Sequence, residues 1–290
     1  MKCDICPKEC CVDRNESVGY CGVSNQIKIG WYGAHFGEEP IISGANGSGA
    51  IFFSGCNLKC KFCQNYEISK ALNGYQISAK QLADIFKELE DKNVNNINLV
   101  TATHFLPQIL QAFEIYMPKI PIVYNCSGYE KVESLKKLEG IVDIYLPDFK
   151  YSDNVLAQRL SCCNNYFEVC ASAILEMKRQ QPQSVVKGGV MQKGLIVRHL
   201  VLPNHLDNTF GVLEWLQRNL PNDYISVMSQ YLPCGEAKNI ADINRKLKPI
   251  EYKMVLNKID KCGFELGFVQ EMSSATTELI PNFYKGKSEV

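Results

Sequence analysis

An excess of charge of either sign is missing from this sequence. Its 31 basic and 31 acidic residues balance to a formal net charge of +0. That argues against a nucleic-acid binder driven by phosphate contacts, because such a surface carries a basic excess. Long hydrophobic runs are missing as well. The N-terminus, Met1-Lys2-Cys3-Asp4-Ile5-Cys6-Pro7, has no apolar run of the signal-peptide kind. No apolar stretch approaches the length needed to span a bilayer. A soluble, cytoplasmic protein with neither a nucleic-acid nor a membrane partner is expected. No internal repeat and no low-complexity segment is visible, so no repeat array organises the chain.

What is present is a core and an excess of thiols. Of 290 residues, 46% are hydrophobic and 21% charged, a balance that buries a sizeable core in one large domain with at most a small appendage. Fourteen cysteines are many for an unsignalled chain. In a reducing compartment, clustered cysteines read as metal ligands and scattered ones as small core hydrophobes. The organisation expected is a cysteine-rich segment over 1–30, a glycine-rich connection over 31–49 and a main domain over 50–290.

Within the main domain, strand and helix patterns alternate. Strands are predicted over 50–54, 96–101, 121–125, 142–146, 195–202, 224–230 and 267–270. Helices are predicted over 78–93, 105–116, 129–138, 154–180 with a break around 162–165, 210–220 and 250–262. Ser78 and Gln81 form a capping-box pair ahead of Leu82, Ile85, Phe86 and Leu89 on one face. Such alternation implies βαβ units and a parallel sheet. Six or seven units fit a barrel or partial barrel, whose active site sits at the C-terminal strand ends.

The central motif follows the first of these strands. Cys56, Cys60 and Cys63 stand at C-x3-C-x2-C spacing with Phe62 between the last two. Three close thiolates on one loop suit three irons of a [4Fe–4S] cluster. No fourth cysteine lies in the loop, which leaves one iron open, as in catalytic metal centres generally. The alternatives are a zinc site, which prefers four ligands in two pairs, or three unrelated thiols.

The triplet with its aromatic resembles the signature of the radical S-adenosylmethionine (SAM) superfamily. The run from Glu38-Glu39-Pro40 through Gly47-Ser48-Gly49 to Cys63-Gln64-Asn65-Tyr66 resembles proteins related to the pyruvate formate-lyase activating enzyme. So do Asp148-Phe149-Lys150, Val197-Arg198-His199-Leu200-Val201-Leu202-Pro203 and Met228-Ser229-Gln230-Tyr231. The resemblance covers nearly the whole chain. It implies an α/β fold, a partial (β/α) barrel of the radical SAM type. It also implies a [4Fe–4S] cluster on Cys56, Cys60 and Cys63 whose open iron holds SAM. Reductive cleavage of SAM then gives a 5′-deoxyadenosyl radical that abstracts hydrogen, with an electron from a low-potential donor such as flavodoxin or ferredoxin. Catalytic groups beyond the cluster and SAM are not expected.

For SAM binding, the resemblance and the residue chemistry together name Phe62, Thr103, His104, Asp148, Lys150 and Arg198. The glycine-glycine-glutamate motif often found after the second strand is replaced here by Thr101-Ala102-Thr103-His104. Thr103 or His104 substitutes for it, or His104 merely opens the next helix. Lys150 would meet the cofactor carboxylate as a point charge, with Asp148 orienting a polar group there; the alternative is a solvated pair. Arg198 shares a strand face with Ile196 and Leu200 and points either toward the cofactor or into a structural ion pair. His199 faces the other way.

Cys3, Cys6, Cys10 and Cys21 form a second candidate metal site, for zinc or another cluster, with Cys11 left over. The alternative is a flexible arm of free thiols. For the whole protein, three functions compete. One is hydrogen abstraction from a protein or peptide, notably a glycine. Another is radical modification of a small molecule, and the third a non-catalytic iron–sulfur or zinc binding module. The lack of a recognisable small-molecule site beyond that for SAM favours the first.

Overall fold

Strands and helices alternate along the chain, preceded by a cysteine-rich segment folded without regular structure. The computed structural model describes residues 2–276, 280–283 and 286. Its elements are β1 (Ile27–His35), α1 (Pro40–Ser43), β2 (Ser48–Phe53), α2 (Tyr66–Ser69), β3 (Tyr75–Ile77) and α3 (Ala79–Asp91). They continue with β4 (Ile97–Val100), α4 (Leu106–Ile115), β5 (Ile122–Cys126), α5 (Val132–Lys136), β6 (Ile144–Pro147), α6 (Asn154–Ser161) and α7 (Tyr166–Gln180). The last are β7 (Val185–Lys187), β8 (Val190–Leu200), α8 (Leu206–Asn219), β9 (Tyr224–Met228), α9 (Pro249–Cys262) and β10 (Gly267–Val269).

One sheet carries the strands in the order β10-β9-β8-β6-β5-β4-β2-β1-β3, with β7 as a hairpin partner of β8. From β2 to β10 every neighbouring pair along this path is parallel. β1 and β3 add antiparallel strands at the other end. The sheet is unclosed, with β3 and β10 as its edges, so the fold is the partial barrel that the alternation implied.

Local rules place most elements. The capping box at Ser78 forms: Ser78 Oγ accepts from the Gln81 N–H at 3.2 Å, and Gln81 Oε1 accepts from the Ser78 N–H at 2.8 Å. α3 then buries Leu82, Ile85, Phe86 and Leu89. The expected break near 162–165 falls between α6 and α7, where Cys162 closes α6 in the left-handed region at φ 55°. Three strands escape the sequence patterns: β1, β3 and β7. β1 in particular has glycines at 30 and 33 and reads as irregular, yet it is almost wholly buried because both of its edges pair.

The two faces of the sheet are distinct. Leu99, Tyr124, Tyr145, Leu195 and Val197 face the helices in the main core. Val123, Ile144, Leu146 and Ile196 face the barrel interior, where they pack around Ile42 of α1. The segment between β1 and β2 therefore enters the barrel and fills its lower half. It carries Glu38 inward with it. Among the described residues no helix is long and apolar enough to cross a membrane.

Candidate active site

The loop after β2 begins at Gly55, whose φ of +87° suits glycine, and runs through the three cysteines to α2. It lies at the C-terminal ends of the parallel strands, where a cleft of about 220 Å³ opens. At roughly 10–15 Å³ per bound water, that is room for a cofactor-sized group. Cys56, Cys60, Phe62 and Cys63 line it from the loop. Asn125, Asp148, Lys150 and Arg198 line it from β5, the end of β6 and β8, and Glu38 from the segment inside the barrel.

Each thiol of the triplet has its own hydrogen-bond donor. The Leu58 N–H points to Cys56 Sγ at 3.4 Å, Ser161 Oγ donates to Cys60 Sγ at 3.0 Å, and Ser69 Oγ donates to Cys63 Sγ at 3.2 Å. Burial pushes the Cys56 thiol up to about 12 and the Cys60 thiol to about 11, with Lys150 opposing the rise at both. Bare thiolates would be unstable in such a site. Sulfurs directed into one pocket with donors behind them suit a cationic iron–sulfur group that takes the thiolate charge. Phe62 is buried and packs against Tyr231 at 6.0 Å between ring centroids.

Opposite the loop runs a charged network. Lys150 Nζ donates to Asp148 Oδ2 at 2.6 Å, and Arg198 Nε donates to Asp148 Oδ1 at 2.9 Å. Arg198 also donates to Glu38 Oε2 at 2.9 Å and to Asn125 Oδ1 at 2.6 Å. The other Glu38 oxygen accepts from Asn98 and Asn125, each at 3.0 Å. Burial alone would raise the Asp148 carboxyl, but Arg198 and Lys150 outweigh it and hold the group below its ordinary range. Burial would lower the Lys150 ammonium; Asp148 and Cys60 reverse that and raise it. The Lys150 N–H is fixed by the Tyr166 hydroxyl at 2.9 Å. A permanently charged lysine thus stands within the electrostatic reach of Cys60. Arg198 faces the cleft, and its fork is committed to the protein's own carboxylates and amide. His199 is buried on the opposite side of β8, between Phe149 O at 2.7 Å and Thr209 Oγ1 at 2.9 Å.

Thr103 and His104 are not part of the cleft. Both are buried in a short 3-10 turn, Thr103–Phe105, ahead of α4. Thr103 Oγ1 donates to Glu130 Oε1 at 2.7 Å, and His104 Nε2 sits 2.8 Å from Ser54 O. Burial holds the imidazole down to about 3, so it stays neutral. The cleft is lined instead by Thr101, a β-branched residue at φ 61°. The left-handed region is strained for a β-branched residue, so the surrounding structure holds Thr101 there. Glu38, Asn125, Ser69 and Ser161 were also missed by sequence reasoning. Glu38 stood in the run that carries the resemblance but was given no role there, and Asn125 had no signal beyond being a polar residue at a strand end.

Glu130, the partner of Thr103, gives a pH prediction. Burial raises its carboxyl to about 8, against the donors Thr103 and Tyr124. Because the folded value exceeds the unfolded one of about 4.5, folding takes up a proton between those limits. Stability therefore falls as pH rises through that window, by at most on the order of 4–5 kcal/mol at about 1.36 kcal/mol per unit. Urea denaturation at pH 5 and pH 8 is expected to show this loss, and Glu130→Gln is expected to abolish most of it.

At the N-terminus, Cys6 and Cys21 are buried, Cys3 and Cys10 half-buried and Cys11 exposed, and Gly19 lies between Cys10 and Cys21, a Cβ there standing 3.5 Å and 3.2 Å from their sulfurs. Burial raises the Cys6 and Cys21 thiols, and both feel the charge of Cys3. The segment is docked on the barrel. Arg14 donates to His104 O and, at 2.5 Å, to Ser24 O. Ser134 Oγ donates to Ile5 O at 2.6 Å. As placed, no three His, Cys, Asp or Glu side chains among the described residues close around one point; both thiol sets are open arrays.

Comparison with known proteins names the family. The model of the radical SAM superfamily matches residues 50–195. An uncharacterized protein of Methanocaldococcus jannaschii is 35% identical over 277 residues, which is 91% of this chain and 76% of that protein. The chain belongs to the radical SAM superfamily. Among solved structures, Streptococcus suis SuiB bound to precursor peptide SuiA aligns with a TM-score of 0.50 at 17% identity, over 78% of this chain. The chain spans about half of SuiB, 49% of its length. A domain of pyruvate-formate lyase-activating enzyme from Bacteroides vulgatus aligns at a TM-score of 0.38 and 11% identity, over 67% of this chain and 91% of that one. The radical SAM resemblance and the partial-barrel fold read from the sequence are both borne out. Membership implies a [4Fe–4S] cluster and SAM.

Proposed function

We propose that this protein is a radical SAM enzyme whose substrate is a protein or peptide segment, with a glycine Cα–H as the hydrogen donated. The observation that carries the reading is the open side of the barrel beside the cofactor cleft. The sheet does not close, and the cleft is lined from both of its ends, by His35 and Phe52 on one side and Met228 and Gln230 on the other. The C-terminal tail returns here as well. Ile280 and Pro281 line the cleft, and Phe283 packs on Phe52 at 5.7 Å; positions 277–279, 284–285 and 287–290 lie outside the described residues. Amide and aromatic groups along an open cleft suit an extended loop, whose backbone needs hydrogen-bond partners. SuiB, with the same fold, was crystallised with a precursor peptide.

In this reading Cys56, Cys60 and Cys63 hold the cluster, and Lys150 offers its ammonium to the SAM carboxylate. Asp148 keeps Lys150 in place, Arg198 keeps Asp148 in place, and Phe62 shields the loop. The cluster and SAM supply the 5′-deoxyadenosyl radical. Lys59 and Lys61 flank Cys60 and present positive charge to an acidic low-potential donor such as flavodoxin or ferredoxin. Cys3, Cys6, Cys10 and Cys21 hold a resident metal.

The test is isotopic. Reduced enzyme, SAM and a candidate partner deuterated at glycine are expected to give deuterated 5′-deoxyadenosine. Fast turnover of a metabolite with no protein or peptide present would contradict the reading. The donors to sulfur give a second expectation. Ser69→Ala and Ser161→Ala should retain the cluster yet make it harder to reduce, because hydrogen bonds to sulfur raise the potential. A redox titration followed by electron paramagnetic resonance (EPR) checks the direction.

A further inference from the structure

We infer that a peptide substrate docks by adding to the free outer edge of β1, with an aromatic side chain in the pocket between Trp31, Phe52 and Ile68, and that the chain's own segment around Phe283 holds this place in the free protein. The inference rests on the reading of the substrate as a protein or peptide segment. It adds where that segment binds and which side chain it carries.

Three observations carry it. First, β1 has an open stretch beside the cleft. β2 pairs with it as far as His35, but on the other side β3 covers only residues 27–29. Along 31–35 that outer edge carries no strand among the described residues, and His35 at its end lines the cleft. Extended peptides add to such edges through main-chain hydrogen bonds. The Tyr32 N–H makes one of this kind, donating to Gly286 O at 3.3 Å. Second, the pocket is built from ring edges. Trp31 and Phe52 lie 5.8 Å apart between centroids at 74°, and Phe283 meets Phe52 at 5.7 Å and 62°. Ala50, Ile68 and Val100 complete this cluster, which is separate from the main core. Such edge-on geometry favours an aromatic guest over an aliphatic one. Phe283 fills the pocket and is only 6% exposed. Without a guest, Trp31, Phe52 and Val100 would form an apolar patch at the mouth of the cleft, the mark of a binding surface. Third, the occupant is lightly held at the edge. The Tyr32 N–H at 3.3 Å and the Tyr75 hydroxyl at 3.5 Å both reach Gly286 O, longer than the usual range.

The same segment gives the register. Ile280 and Pro281 line the cleft while Phe283 sits in the pocket. A substrate in its place would present to the cleft the residue two or three positions before its aromatic side chain. Ahead of the segment, Lys246 Nζ donates to Ala275 O at 2.8 Å and ties it to the barrel. A tethered occupant acts at an effective concentration on the order of millimolar. That is enough to exclude weak ligands, while a substrate with a better fit displaces it.

The probe is a fluorophore-tagged peptide with the sequence of residues 280–286, added to the full chain with its cluster reconstituted. Fluorescence anisotropy is expected to show binding to Phe283→Ala at least about tenfold tighter than to the wild type, because the tethered competitor has lost the side chain that fills the pocket. The same peptide with alanine in place of its phenylalanine should bind Phe283→Ala at least about tenfold more weakly. Hydrogen exchange over 31–35 should quicken in Phe283→Ala and slow again when the peptide is added. Should Phe283→Ala not fold, Lys246→Ala loosens the segment from its other end and is expected to act in the same direction. No binding to the folded variant, binding equal to that of the wild type, or indifference to the peptide's phenylalanine would overturn the pocket. Exchange unmoved by the peptide would overturn the edge. The peptide-substrate reading would still stand if a partner deuterated at glycine gave deuterated 5′-deoxyadenosine, so the two failures are distinguishable.

Discussion

Alanine at Cys56, Cys60 or Cys63 is expected to abolish both the SAM-responsive cluster and 5′-deoxyadenosine formation. Each of these thiols lines one cleft and each has a single dedicated donor, so the three act as a set, and neighbouring thiols do not replace a missing member. Cys126 lines the same cleft, but from the end of β5 and not from the loop that carries the triplet. Cys234 is not among the residues that line the cleft. Removing a direct ligand should therefore exceed the roughly 10–100-fold loss typical of outer partners of a metal site. Iron analysis with EPR of the reduced protein, with and without SAM, checks it. An unchanged SAM-dependent signal in any one of the three variants would show that the triplet is misassigned.

The second large effect belongs to Arg198. Its guanidinium joins Asp148, Glu38 and Asn125, and the side chains of Glu38 and Asp148 are 7% and 18% exposed. Arg198→Met would leave two carboxylates in the barrel without their shared cation. Breaking a buried pair in this way costs about 3–5 kcal/mol. A loss of that size is expected in urea denaturation at pH 7, together with weaker SAM binding, because Lys150 depends on Asp148. Arg198→Lys should recover only part of it, since one ammonium cannot reproduce a fork bonded to three partners. The double variant Glu38→Gln with Arg198→Met should be less destabilised than the sum of the two singles. Additivity would mean that the pair is not coupled.

How much of this was legible in the sequence depends on how local each signal is. The capping box at Ser78, the break between α6 and α7, and the cysteine loop after β2 are written within a few residues, and they read correctly. The network at the strand ends was half legible. Asp148, Lys150 and Arg198 stood out as charges beside apolar strands, and the structure brings them to one wall. Glu38 lay in the motif run, but its role was not legible, because its partners Asn98, Asn125 and Arg198 lie 60, 87 and 160 residues away. No periodicity encodes such a contact. Ser161 is likewise 101 residues from Cys60. Thr103 and His104 show the opposite error. They sit at the position in sequence where a cofactor contact was expected, but the chain turns at the strained Thr101 and sends both inward. β1 was invisible because its glycines break the alternation, and its burial comes from pairing on both sides.

The central claim is that this chain cleaves SAM at a cluster held by Cys56, Cys60 and Cys63. It is tested most directly by incubating the anaerobically reconstituted, reduced wild-type protein with SAM and quantifying 5′-deoxyadenosine and methionine. The account predicts both products in equal amounts, dependent on reductant and absent from the Cys60→Ala protein. A fully loaded, reducible cluster that yields neither product, or products formed equally well by Cys60→Ala, would contradict it.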